Sequence, residues 1–154
     1  MLLTEILSDK RIKAPLLATT KQEAITELVD VLVSQGAIAD REKALAAVLE
    51  RERTRTTGIG NRIAIPHGKT SAVGELVMAI GLAGTPIDFE SIDNRPVNLV
   101  ILVVSPLDQT GPHIQALAHI SRLLSNDLFR QKLITAPNAH EAMKLIKAQE
   151  EAER

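Results

Sequence analysis

The chain has 154 residues, 45% of them hydrophobic and 24% charged, so we expect one folded domain spanning residues 1–154 rather than a disordered chain. A net charge of −1 gives no overall attraction to nucleic acid or anionic lipid, and two phenylalanines without tryptophan or tyrosine offer few surfaces for stacking bases. The absence of cysteine excludes disulfides, cysteine-ligated metals and thiol nucleophiles.

The N-terminal half predicts two helices. The first residues, MLLTEILSDK, contain no basic leader, and no apolar run approaches the roughly 18 residues of a membrane span, so we expect a cytoplasmic protein without membrane insertion. Thr20 and Glu23 have the spacing of a capping box before a helical apolar pattern that stops at Gly36. Asp40 is the expected N-cap of a second helix, whose last turn carries Arg51.

The second half predicts strands followed by helices. Residues 63–65 and 76–82 have extended patterns, and VNLVILVV at 97–104 is typical of a central strand covered on both faces, ending before Pro106. Helical spacing returns from Gly111, around 128–134, and after the predicted cap Asn138. This order predicts a single α/β sandwich with helices on both faces of the sheet.

Two nucleotide-binding motifs fail at the same residue. Gly68-Lys69-Thr70 resembles the end of a P-loop, and Gly58 with Gly60 resembles the start of a dinucleotide fingerprint, but both require glycine where Ile63 stands. His113 and His119 lie six residues apart and match no zinc-binding spacing. With few aromatic residues as well, we expect no metal, nucleotide or other cofactor and no nucleic-acid partner.

His67 is the residue that most suggests chemistry. It comes after a short extended segment that Pro66 should end, because proline fixes its φ and has no N–H for a β-ladder. We therefore expect His67 at the carboxyl end of a strand, where open α/β folds bind ligands. Gly68 should leave room beside the imidazole for a bulky group. The alternative is a surface-loop histidine without a chemical role.

Two further residues are candidates to join His67. His113 comes directly after Pro112 near a predicted helix start and should face inward, where free backbone N–H groups favour an anion; the alternative is a buried histidine bonded to a carbonyl. Taken as an isolated residue, Arg51 is better explained by capping the carbonyls of its own helix turn. Together, the two histidines, the arginine and the helix N-terminus predict a phosphoryl site without metal or nucleotide.

The residue types suit phosphoryl transfer. A neutral imidazole nitrogen is nucleophilic near pH 7, while the second ring N–H needs an acceptor that fixes the tautomer. The planar guanidinium of Arg51 and the ring of His113 would stabilise charge on the transferring group. We further predict phosphate binding by Gly58, Asn61 and Gly68.

A long stretch of the sequence resembles a known family. GIGNRIAIPHGK, preceded by ERERTRTT and followed by FESIDNRPVNLVILVVSPLDQTGPH, is similar to the fructose/mannitol-type IIA component of the bacterial phosphoenolpyruvate-dependent phosphotransferase system. The similarity spans nearly the whole chain, and within the family the sequence most resembles the nitrogen-regulatory branch. The resemblance implies a mixed parallel and antiparallel sheet sandwiched by helices.

The resemblance also implies roles and partners. His67 would be the phosphorylated residue, receiving its group from the histidine-containing phosphocarrier protein, with His113 and Arg51 as the second histidine and the arginine of the active site. A regulated target protein or a IIB component would be the next partner. Arg62 stands where the family usually has glycine, which argues against a positive φ and adds a cation beside the partner-docking rim.

Three functions remain open from the sequence. The leading hypothesis is a regulatory phosphoryl carrier in which phosphate on His67 adds nearly two negative charges and changes which proteins bind. The second is a sugar-uptake IIA subunit that passes phosphate to a separate IIB protein. The third is a non-catalytic sensing module that has kept the fold.

Overall fold

A computed structural model describes residues 1–153. Two short 3-10 turns, Leu3–Glu5 and Asp9–Arg11, precede the sheet and helices. The strands are β1 (Ile12–Leu16), β2 (Gly58–Gly60), β3 (Ile63–Ala64), β4 (His67–Lys69), β5 (Val77–Ile87) and β6 (Val97–Ser105). The helices are α1 (Lys21–Ser34), α2 (Arg41–Thr54), α3 (Thr110–Leu124), α4 (Asp127–Ile134) and α5 (Ala139–Ala152). Within the described residues, no helix combines the length and the hydropathy that a membrane span requires.

The strands form one mixed sheet in the order β1-β5-β6-β3-β2, with β4 also pairing with β6. The long strands β5 and β6 are antiparallel, whereas β1 runs parallel to β5, and β3 and β4 run parallel to β6. This mixed sheet confirms the predicted α/β sandwich. Strand β6 lies at the centre of the sheet, and both β4 and β5 pair along its carboxyl-terminal half.

The two faces of the sheet are covered by different helices. Alternate residues of β6 point to opposite faces, so Val104 packs with the α1 and α2 side and Val103 with the side of α3, α4 and α5. Paired residues of neighbouring strands share a face. His67 is paired with Val103 and Gly68 with Val104, which directs His67 toward α3 and Gly68 toward α2.

The predicted ends of the first two helices are confirmed. The Thr20 hydroxyl accepts from the Glu23 N–H at 3.2 Å, and the Glu23 carboxylate accepts from the Thr20 N–H at 3.2 Å, which completes the capping box. Gly36 has a positive φ of 72° just beyond α1. The Asp40 carboxylate caps α2 by accepting from the Lys43 N–H at 3.1 Å.

The short strands and one strand boundary differ from the prediction. β2 and β4 have three residues each, too few for an alternating pattern to be recognised, and β1 contains Pro15, which lowers its resemblance to a strand. β5 continues to Ile87, beyond the predicted end at residue 82, and residues 84–86 of this extension are exposed.

The expectation for Arg62 was wrong, because this arginine has a φ of 68°. β2 and β3 are joined by a two-residue hairpin turn in which Asn61, with a φ of 55°, and Arg62 are both left-handed. Tight hairpin turns of this kind require positive φ at both central positions. The Arg62 carbonyl accepts from the N–H groups of Asn98 and Leu99 at 2.9 and 3.1 Å, so neighbouring backbone holds the conformation.

Candidate functional site

His67 lies at the start of β4, not at the end of a strand as the sequence predicted. Strand β3 ends at Ala64, Pro66 interrupts the pairing, and β4 then resumes parallel to β6. The carbonyl of Pro66 accepts from the N–H of Val103 at 3.0 Å, so the interruption stays attached to the sheet. The imidazole of His67 is half-buried at this discontinuity, with the α3 side of the sheet next to it.

The tautomer of His67 is set by one hydrogen bond. Nδ1 lies 2.8 Å from the carbonyl oxygen of Ile65. Because a carbonyl oxygen can only accept, Nδ1 carries the proton and donates, and Nε2 keeps its lone pair. Burial lowers the pKa of His67 below its usual value, and the nearby charge of Arg51 lowers it further, against the opposing hydrogen bond to Ile65. Nε2 is therefore a neutral nucleophile at neutral pH.

His113 faces His67 from the first turn of α3. Its side chain is 5% exposed, and the centroids of the two imidazole rings are 5.4 Å apart with planes tilted by 59°. The prediction that His113 faces inward is confirmed. Burial lowers its pKa to about 4, and the neighbouring His67 imidazole and Lys69 ammonium oppose its protonation further, so this ring is also neutral at neutral pH. Its Nδ1 is hydrogen-bonded to the hydroxyl of Ser105.

Arg51 and His67 line the same cleft, of about 300 Å³. Arg51 occupies the last turn of α2, as predicted, and its Nη1 donates to the carbonyl of Arg55 at 3.0 Å. This bond is the helix-capping contact that the sequence left as an alternative. With this bond in place, Arg51 is still close enough to lower the pKa of His67.

Of the three residues predicted to bind phosphate, Gly58 lines the cleft and Asn61 and Gly68 do not. Gly58 lines the cleft, but its N–H donates to the Thr56 hydroxyl at 3.0 Å. A Cβ at Gly58 would lie 2.3 Å from the Ser91 hydroxyl, so close packing explains the glycine. Asn61 lies in the hairpin turn, where its N–H donates to the carboxylate of Asp93 at 3.2 Å. Neither N–H is directed to a free anion.

Gly68 does not leave room beside the imidazole, contrary to the prediction. It is buried, and a Cβ there would lie 3.2 Å from the backbone N of Val48 and 3.3 Å from the carbonyl carbon of Ala47, both in α2. The missing side chain therefore makes room for a helix on the face of the sheet opposite His67. Gly68 and Asn61 do not belong to the cleft lining.

Several polar residues near the site could not be singled out from the sequence. Buried Glu52 accepts from the N–H of Thr57 at 2.8 Å and from its hydroxyl, and forms an ion pair with Lys21 at 3.2 Å. Ser105 and Lys69 adjoin His113, and the ammonium of Lys69 donates to a hydroxyl on α3 at 3.0 Å. The only sequence signal for Ser105 is a polar residue closing the apolar run of β6, eight residues before His113.

The arrangement suits transfer of an anionic group to a histidine. One imidazole presents a lone pair, a second imidazole faces it, and a guanidinium that can donate hydrogen bonds lines the same cleft. The cleft lining includes two exposed isoleucines, Ile59 and Ile92, which are 43% and 68% exposed. Among residues 1–153, no three histidine, aspartate or glutamate side chains are grouped closely enough to hold a metal ion.

Comparison with known sequences gives a consistent family. Residues 5–149 match the family model described as the phosphoenolpyruvate-dependent sugar phosphotransferase system, EIIA 2. A fructose-specific EIIA component of Haloferax volcanii is 40% identical over 117 residues, 76% of each chain. A nitrogen regulatory protein of Bradyrhizobium diazoefficiens is 34% identical over 140 residues, 90% of each chain. The chain covers only 23% of a fructose-specific EIIABC component of Bacillus subtilis, at 34% identity.

Solved structures agree with the sequence comparison. The nitrogen regulatory protein IIA-Ntr of Neisseria meningitidis superimposes with a TM-score of 0.86 at 25% identity, covering 94% of this chain and 98% of that one. IIA mannitol of Escherichia coli superimposes with a TM-score of 0.78 at 25% identity, covering 91% and 98%. The fold, the family match and these relatives show that the chain belongs to the EIIA type 2 family of the phosphoenolpyruvate-dependent sugar phosphotransferase system.

Proposed function

We propose that Nε2 of His67 accepts a phosphoryl group from the histidine-containing phosphocarrier protein, and that the chain acts as a nitrogen-type regulatory IIA protein. IIA proteins of this family are phosphotransferase components. The assignment of His67 as the phosphorylated residue of this chain rests on the bond from its Nδ1 to the Ile65 carbonyl, which leaves Nε2 unprotonated in a residue that lines the cleft.

The transfer needs no change of proton on either histidine. Nε2 of His67 uses its lone pair to form the new N–P bond, while the N–P bond of the donor phosphohistidine breaks and returns its electron pair to the donor imidazole. The proton of His67 stays on Nδ1. The Ile65 carbonyl accepts a hydrogen bond from this N–H and stabilises the positive charge that the ring gains. Such a step is readily reversible, as a phosphoryl carrier requires.

Arg51 and His113 provide the compensation for charge. The transferring group spreads negative charge over three oxygens, which fixed donors stabilise more strongly than mobile water. Arg51 reaches the cleft from α2, and His113 approaches from α3, so the two donors flank His67 from different sides of the sheet edge. Removing one such donor commonly costs about 3 kcal/mol in the barrier.

The regulatory assignment is supported by similarity along nearly the full length of the nitrogen regulatory relatives. The relative from Bradyrhizobium diazoefficiens is matched over 90% of both chains, and IIA-Ntr superimposes over 98% of its length. Phosphate on His67 would add nearly two negative charges beside the exposed Ile59 and Ile92, changing the chemistry of the rim on which a target protein docks.

A second candidate is a sugar-uptake IIA subunit of the fructose or mannitol class. It is favoured by the 40% identity to a fructose-specific EIIA component. IIA proteins of this system act with IIB components, and the mannitol IIA protein has been solved in complex with phosphorylated IIB. The same three residues would serve both functions, so only the acceptor of the phosphate distinguishes them.

The first experiment tests His67. The protein is mixed with phosphoenolpyruvate and the general phosphotransferase proteins, including the phosphocarrier, and its intact mass is measured. We expect the parent and the control His140→Ala, whose imidazole is an exposed one on α5, to gain one phosphate, and His67→Ala to gain none. Equal labelling of His67→Ala would remove His67 from the mechanism.

The second experiment separates the two candidate functions. The phosphorylated protein is mixed with purified sugar-specific IIB proteins, and its loss of phosphate is followed by mass. We expect no faster loss than from spontaneous hydrolysis, because a regulator has no IIB acceptor. Rapid transfer to a fructose or mannitol IIB protein would establish the sugar-uptake function instead.

A further inference from the structure

Ser105 is the last residue of β6 and is fully buried. It is paired with Lys69 of β4, two residues beyond the pair of His67 with Val103. Because side chains alternate along a strand with a period of two, Ser105 points to the same face of the sheet as His67, toward α3. The hydroxyl reaches Nδ1 of His113 there.

The direction of this hydrogen bond is determined by what each atom needs. Within residues 1–153, Nδ1 of His113 is the only hydrogen-bond partner of the Ser105 hydroxyl. If Nδ1 donated its proton, the hydroxyl proton would be buried without an acceptor, which costs about 1–3 kcal/mol. If the hydroxyl donates, both groups are satisfied, and the proton of the neutral imidazole is on Nε2.

We propose that Ser105 is a positioning residue whose hydroxyl donates to Nδ1 of His113 and so holds the ring proton on Nε2, available to a phosphoryl group on His67. The inference rests on the proposed function of His67. The two facing histidines then have opposite tautomers, since Nδ1 of His67 donates to a carbonyl. One ring presents a lone pair to the phosphorus and the other presents a hydrogen-bond donor to its oxygens.

Other groups near His113 keep its ring neutral, which the tautomer requires. The imidazole of His67 and the ammonium of Lys69 face it from β4, and both lower its pKa in addition to burial. Lys69 is held close by donating to the Thr110 hydroxyl at 3.0 Å. A neutral imidazole has one N–H, so its position on Nδ1 or Nε2 decides whether His113 can donate into the site.

Nuclear magnetic resonance of the unphosphorylated protein tests the tautomer directly. Imidazole ¹⁵N shifts are recorded in long-range ¹H–¹⁵N spectra at about pH 7.5, above the ordinary histidine pKa. We expect the proton of His113 on Nε2 and that of His67 on Nδ1 in the parent. In Ser105→Ala we expect His113 to become a mixture of tautomers, and Ser105→Thr to retain the parental signals because it keeps a hydroxyl.

Phosphoryl-transfer rates test the consequence. We expect Ser105→Ala to accept phosphate about tenfold more slowly than the parent, the size of one lost hydrogen bond, with His67 still labelled to completion. Thr70→Val is the matched control, since it removes a buried hydroxyl that bonds to the N–H of Ala72 and to neither histidine. We expect it to transfer within about twofold of the parent.

Either measurement can overturn the inference. A parental His113 with its proton on Nδ1 contradicts it without any variant, so a folding defect in Ser105→Ala does not protect it. Unchanged tautomers in a folded Ser105→Ala, or slowing equal to that of Thr70→Val, also contradict it. Failure of the proposed function is distinct, because the parent would then acquire no phosphate while its imidazole spectra stayed as expected.

Discussion

The start of β4 and the start of α3 each present a histidine to the same space, in contrasting surroundings. His67 is half-buried, and its Nδ1 is bonded to a backbone carbonyl. His113 is 5% exposed, and its Nδ1 is bonded to a serine hydroxyl. A carbonyl imposes one direction on the bond, whereas a hydroxyl takes whichever direction its own burial favours. Under the proposed function, the hydrogen-bond partner of each histidine gives it a different role, nucleophile for His67 and hydrogen-bond donor for His113.

The largest effects are expected from replacing the two histidines in turn. His67→Gln should acquire no phosphate, because no nucleophilic nitrogen remains. His113→Ala should be labelled completely but about 100-fold more slowly, since it loses one donor to the transferring group. His113→Gln should recover part of the rate, because its amide supplies an N–H. The check is the time course of intact mass, and a His113→Ala protein that labels at the parental rate would contradict the contrast.

The next largest effect is expected from removing the guanidinium of Arg51, which lies in the cleft with His67. Arg51→Ala is expected to slow phosphoryl transfer by about 30-fold or more, because the guanidinium no longer compensates charge in the cleft. Arg53→Ala is the matched control: it lies on the same helix turn, is exposed, and pairs with Glu50 at 2.9 Å. Thermal unfolding of both variants should be similar. Equal transfer rates for the two variants would remove Arg51 from the site.

Acid should destabilise the fold through His113 more than through any exposed histidine. Its pKa is about 4 in the folded chain and near 6.5 when unfolded. The unfolded state therefore binds the proton first as the pH falls, and stability is lost between about pH 6.5 and pH 4. We expect His113→Gln, which cannot titrate, to lose about 2 kcal/mol less of its unfolding free energy across this window.

Urea titrations of the two proteins at several pH values give the required difference. Parallel curves for the parent and His113→Gln would show that the ring of His113 is not kept neutral by its surroundings.

The smallest expected effect concerns the charge beside His113. Lys69→Met removes one of the causes that lower the His113 pKa, the last of the three after burial and His67, so this pKa should rise. Lys13→Met is the control, because Lys13 pairs with Glu27 at 2.8 Å, away from the site. Histidine resonances followed against pH measure the pKa of His113 in both variants. A pKa of His113 that falls in Lys69→Met would contradict the assigned cause.

Much of this architecture can be predicted because strong local rules agree with it. The Thr20 capping box, the Asp40 cap and the long apolar strand β6 are recognisable from residue types and spacing. The approach of His113 to His67 is also predictable, since a helix that begins a few residues after a buried strand must start close to the end of that strand. These features depend on residues close together in the sequence or on long patterns.

The rest depends on contacts that spacing does not encode. Strand β4 exists because three residues pair with β6 after the interruption at Pro66, and Arg62 takes a positive φ because a two-residue turn demands it. Ser105 has the sequence pattern of a strand end, and its importance depends on a partner from α3. Proximity in sequence predicts direct phosphate contacts by Asn61 and Gly68, but alternation along β4 turns Gly68 to the other face.

The packing of Gly68 also sets the spacing of the site. With hydrogen in place of a methyl group, the backbone of α2 settles against β4, one helical turn before Arg51. The distance between the Arg51 guanidinium and the His67 imidazole therefore depends on Gly68, which does not itself line the cleft. A larger residue at this position would push α2 away from β4 and carry Arg51 away from His67, while His67 and His113 remained in place.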